Sequence, residues 1–112
     1  MPEVVVQPNK RTIALFAILS AADKNNVSMG RLWKTARARS GLDPDLQRQV
    51  GSSRYYGLFQ FQATQYRETM LAMGKTVTEA FAADIMDVDK QADAAAYLQA
   101  NGRPIRGEGI NG

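Results

Sequence analysis

The order of apolar and polar positions along the chain predicts helices joined by short polar breaks. From Thr12 onward, Leu15, Ile18, Leu19 and Ala22 recur at the i, i+3, i+4, i+7 spacing of an amphipathic helix, which Asn25 and Asn26 bring to an end near Lys24. Ser28 is the expected N-cap of a second helix. Val27 before it and Leu32 inside it are placed to form a hydrophobic staple. Leu32, Trp33 and Ala36 give that helix an apolar side and Arg31, Lys34 and Arg37 a basic one, and Gly41 and the Asp43–Pro44 step end it. A third helix is predicted over residues 62–73, stopped by Gly74. Thr76 and Glu79 form a capping box for a fourth, which carries Val77, Phe81 and Ile85. Val88, Ala92, Ala95 and Ala96 mark a fifth over 88–100, closed by Asn101 and Gly102.

Three stretches lie outside this pattern. Two prolines and three valines predict an extended arm over residues 1–11. Residues 40–56 are polar, rich in Gly, Ser and Pro and without clear periodicity, and so form a long connecting loop of the kind that carries function. Residues 103–112 are glycine-rich and predict a flexible tail. The domain is therefore bounded at 12–102, and its expected class is all-α with about five helices and no sheet.

Composition narrows the chemistry more than the fold. The 112 residues contain neither histidine nor cysteine, which excludes a disulfide, a thiolate nucleophile, a Ser-His-Asp triad and a histidine-based zinc site. Catalysis would fall to carboxylates, tyrosine, lysine or hydroxyls, and no cofactor is implied. The net charge of +3 suits an acidic polymer, nucleic acid or bacterial wall, without requiring one. The only apolar run near the start, Val4 to Val6, is too short for a signal peptide, and no stretch approaches the ~20 apolar residues of a membrane span. A role outside the cytoplasm would need delivery by another route.

The segment ARARSGLDPDLQRQVGSSRYYGLFQF, residues 36–61, resembles the core motif of the soluble lytic transglycosylases. In that family a helix ends in Glu-Ser, and a loop then leads to Gly-Leu-(Met/Phe)-Gln-(Phe/Leu). Ser40, Gly57, Leu58, Phe59, Gln60 and Phe61 fit this frame. AADKNNVSMGRLWKTA (21–36) resembles the helices before the motif and DVDKQADAAAYLQ (87–99) the later helix behind the cleft, so the likeness runs over roughly residues 12–100. It is nearest to the transglycosylase domain of internal ejection proteins of short-tailed bacteriophages. The resemblance implies a lysozyme-like domain of a virion, directed at peptidoglycan, with Ser40, Gly57, Gln60 and one or both of Tyr55 and Tyr56 lining a glycan cleft. Two departures accompany it. Arg39 stands where the family has its catalytic glutamate, and the late Tyr-Asn motif has no clear counterpart beyond RGEGING at 106–112.

The first departure bears directly on activity. Glycosidic cleavage needs a carboxylic acid of raised pKa to protonate the leaving oxygen. A guanidinium stays charged at any working pH and has no usable proton to give. Arg39 is therefore expected to be non-catalytic. Asp43 and Asp45 are the nearest alternative carboxylates, although Asp43 also suits a turn before Pro44. Three functions follow: a wall-directed domain that binds glycan with little or no cleavage, a catalytically dead structural subunit of a virion that meets other virion proteins, or a small DNA-binding protein. The last rests on the loose helix-turn-helix look of SAADKNNVSMGRLWKTARARSG and on the basic set Arg31, Lys34, Arg37, Arg39, Arg48 and Arg54.

Overall fold

A computed structural model describes residues 9–76 and 84–107. Among these residues the chain forms four helices and a three-stranded antiparallel sheet, in the order α1 (Lys10–Asn25), α2 (Met29–Ser40), β1 (Gln47–Val50), β2 (Ser53–Tyr56), β3 (Phe61–Gln62), α3 (Ala63–Ala72) and α4 (Val88–Ala100). The sheet overturns the all-α expectation: this is a mixed α and β domain. The expected helix beginning at Thr76, with Val77, Phe81 and the capping residue Glu79, lies outside the described residues.

The helices follow their local signals closely. Asn9 caps α1 by accepting from the Thr12 amide, so the helix starts at Lys10, inside the stretch expected to be an extended arm. Asn26 closes it in the left-handed conformation. Ser28 Oγ accepts from the Arg31 amide at the start of α2, and Gly41, at φ +64°, ends it. Val27 and Leu32 both join the core, as a staple requires. Asp87 caps α4 through the Lys90 amide.

α1 lies chiefly against α4, and it does so through small residues. Its buried positions are Ala14, Ala17, Ile18, Ala21 and Ala22, again at i, i+3, i+4, i+7 and i+8 but rotated from the expected stripe. Leu15 is only partly buried, and Leu19 is exposed together with Ile13 and Phe16. Alanines on α1 face a helix that buries Ala92, Ala94, Ala95 and Ala96, so the two backbones approach closely and the larger side chains are left at the flanks. The aromatic part of the same core contains Phe59, Phe61 and Tyr66, and Phe61 and Tyr66 meet edge to face at 6.0 Å.

The sheet occupies the stretch expected to be an irregular loop. β1 and β2 pair with Val50 opposite Ser53, joined by the two-residue turn Gly51–Ser52 with Gly51 at φ +62°. Glycine at the first turn position matches the twist of a tight hairpin. β1 has the sequence QRQV and is exposed along most of its length. It therefore lacks the apolar alternation that announces a half-buried strand. Tyr55 and Tyr56 of β2 then pair with Gln62 and Phe61 of β3, which brings the GLFQF motif back against the hairpin.

Candidate functional site

The last turn of α2 carries Arg39 into the interior, where only 2% of its surface remains accessible. Its Nε donates to the Phe59 carbonyl at 2.6 Å, and Nη2 donates to the carbonyls of Gln60 at 3.0 Å and Arg106 at 2.9 Å. One side chain thus ties three segments together: the end of α2, the turn before β3, and the segment after α4. No carboxylate approaches this guanidinium within 4 Å among the described residues. Burial holds its pKa below the usual arginine value; Tyr55 opposes that shift and Arg48 adds to it. Arg48 Nη2 in turn donates to the Arg39 carbonyl at 3.3 Å, a cation placed at a helix C-terminus.

The turn that receives Arg39 is shaped by two left-handed residues. Gly57 has φ +77° and Gln60 has φ +53°, with the Gln60 amide bonded to the Gly57 carbonyl. A Cβ on Gly57 would fall onto the side-chain amide of Gln91, so glycine is required both for its φ and for space. Gln91, fully buried on α4, uses its whole amide. Oε1 accepts from the Leu58 amide at 2.8 Å, while Nε2 donates to Ile85 at 2.8 Å and Pro44 at 3.3 Å. Gln60 Nε2 donates to the carbonyls of Gly57 and Leu46, whereas its buried Oε1 meets no donor among the described residues.

The residues expected to line a glycan cleft are therefore brought together, but mostly in the interior. Ser40, Tyr55, Gly57 and Gln60 are all buried. Ser40 Oγ donates to the Ala36 carbonyl one turn back, and Gln62 Nε2 reaches the Tyr55 hydroxyl at 3.5 Å. Tyr56 alone among the six candidates is partly exposed, with the Arg54 guanidinium 5.9 Å above its ring and Gln47 holding Arg54 in place. Neither substitute carboxylate is free. Asp43 and Asp45 both pair with Lys10 at the surface, and Asp43 also accepts from the Asp45 amide in a turn. Glu68 pairs with Arg106.

The segment after α4 is anchored as far as Arg106. Gln65 donates to the Pro104 carbonyl and accepts from the Arg106 amide, which adds to the bond from Arg39. Between this segment, α2 and the end of α4 lies a groove of about 320 Å³, bordered by Arg31, Thr35, Arg39, Gln99 and Arg103. Sequence reasoning assigned no role to Gln65, Gln91 or Arg103. Gln91 is detectable as an amide next to the alanine stripe of α4; Gln65 and Arg103 carry no comparable signal. No cluster of three or more carboxylates, histidines or cysteines gathers among the described residues, and no helix among them is long and apolar enough to cross a membrane. Comparison with known proteins finds no matching family model, no matching curated protein and no matching solved structure.

Proposed function

We propose that this chain is a non-cleaving counterpart of the lytic transglycosylases, serving as a structural domain of a phage particle. One observation carries the reading. The position that the transglycosylase motif reserves for its acid catalyst holds Arg39, and that side chain is committed to three backbone carbonyls. A general acid must reach the glycosidic oxygen with a proton to give. Arg39 has neither the proton nor the access. The motif residues Gly57 and Gln60 support the same reading, since they shape the turn that receives Arg39 from inside, and Ser40 bonds within its own helix.

A wall-directed role is favoured by one feature, the partly exposed Tyr56 beside Arg54, Gln47 and Gln49 on the hairpin. An aromatic ring flanked by planar amides and a guanidinium suits the faces and hydroxyls of a sugar. In this form of the proposal glycan is held on the hairpin surface and is not cut. Co-sedimentation with purified peptidoglycan, run beside a turbidity assay, separates the possibilities. The structural reading expects neither binding nor clearing. Binding that Tyr56→Ala abolishes, without clearing, moves the assignment to a wall-binding domain. Clearing by the wild-type protein refutes both.

A further inference from the structure

The groove beside Arg39 is bordered by three arginines, none of them paired with a carboxylate among the described residues. Arg39 is a nearly fully buried cation whose partners are neutral carbonyls. Arg31 on α2 and Arg103 after α4 border the same groove, and neither meets a carboxylate within 4 Å among the described residues. A buried charge such as that of Arg39 is costly, and neutral carbonyls offset it only in part. Arg39 is the buried charge, and Arg31 and Arg103 are exposed at the rim, so together the three arginines give the groove a positive potential that favours an anion.

We propose that this groove binds the phosphate group of a small ligand. Guanidinium forks match phosphate oxygens in paired hydrogen bonds, and a dianionic phosphate balances more of the local charge than a single carboxylate does. Leu32, Ala95 and Ile105 supply an apolar wall against which the body of the ligand would lie. The volume of about 320 Å³ suits one phosphorylated monomer at the lower end of small-ligand sites and is too small for a polymer to run through. Arg31 and Arg103 grip the phosphate; Arg39, held in place by its carbonyls, contributes fixed positive charge from behind. The site does not depend on the transglycosylase reading.

The test is an NMR titration of the full chain with inorganic phosphate, with N-acetylglucosamine 6-phosphate and with N-acetylglucosamine, all at matched ionic strength. Shifts are expected at Thr35, Gln99 and Arg103 with both phosphates and not with the neutral sugar. A larger response to the sugar phosphate than to inorganic phosphate identifies a phosphosugar as the source; equal responses identify the free ion. The double variant Arg31→Gln, Arg103→Gln is expected to weaken binding by about tenfold or more with an unchanged melting temperature. Arg37→Gln, on the same helix but off the groove, is expected to bind like wild type. No response to either phosphate at millimolar concentration overturns the proposal, as does an equal loss in Arg37→Gln. Glu108 follows Gly107 in sequence and lies outside the described residues, so Glu108→Gln is tested as well. If phosphate binds only to that variant, the groove belongs to the chain's own carboxylate and the proposal fails. Duplex DNA that binds more tightly than either phosphate, and equally through Lys34 and Arg37, overturns it in favour of a nucleic-acid face.

Discussion

Replacing Arg39 by methionine keeps an unbranched stem as far as the position of Nε and removes the rest of the guanidinium, with its charge and all of its donors. The carbonyls of Phe59, Gln60 and Arg106 then each lose a charge-assisted hydrogen bond of 2.6–3.0 Å. Such bonds contribute about 1.5–3 kcal/mol each, or about 4.5–9 kcal/mol together. Against this, the cation no longer has to be held out of water, which returns several kcal/mol. The expected net loss is about 2–4 kcal/mol, a large part of the ~5–15 kcal/mol that stabilises an ordinary domain. Urea denaturation followed by circular dichroism measures it directly: the midpoint should fall while the slope stays constant. Arg39→Lys should lose a similar amount, because one ammonium keeps the desolvation cost but cannot reproduce the planar fork. A Met variant within about 0.5 kcal/mol of wild type would show that the three bonds contribute no net stability. A Lys variant as stable as wild type would show that charge rather than geometry matters there.

Other positions give independent checks. Gly57→Ala combines a positive φ with a collision at the Gln91 amide and should cost about 2–4 kcal/mol in the same denaturation assay. Gln91→Leu leaves the Leu58 amide and the Ile85 and Pro44 carbonyls without their partner; a loss of about 2–5 kcal/mol is expected, and a neutral result would mean water replaces the amide. Ser28→Ala removes the side-chain acceptor at the start of α2 and should lower stability by about 0.5–2 kcal/mol, whereas an unchanged melting temperature would place the functional cap elsewhere.

Much of the helical part of this fold is legible in the sequence because its signals are local. The Ser28 cap, Gly41 after α2, Gly74 after α3 and the run Val88–Ala100 each rest on a few adjacent residues whose conformational preferences agree. The sheet is hidden for the opposite reason. QRQV and SRYY are held by pairing and by the turn at Gly51–Ser52, and the residues of β1 face water on both sides, so no hydrophobic pattern records them. A Gly-Ser pair between two four-residue runs was the available signal. The α1 stripe shows a second limit. Periodicity locates an apolar face, but alanines and leucines compete for it, and the choice is made by how closely α4 approaches. The motif residues were found by resemblance, yet their burial depends on contacts with residues 20 to 67 positions away, as the bonds of Arg39 show.

The account turns on Arg39 being a buried tie where a cleft residue was expected. Hydrogen exchange at its Nε–H, followed by nitrogen-15 NMR as pH is raised, tests this most directly. A guanidinium bonded to Phe59 O and shielded from water should exchange at least about 10²-fold more slowly than in a free arginine, because exchange then requires local opening. Exchange at the rate of a solvent-exposed arginine would contradict the account and return Arg39 to an open cleft.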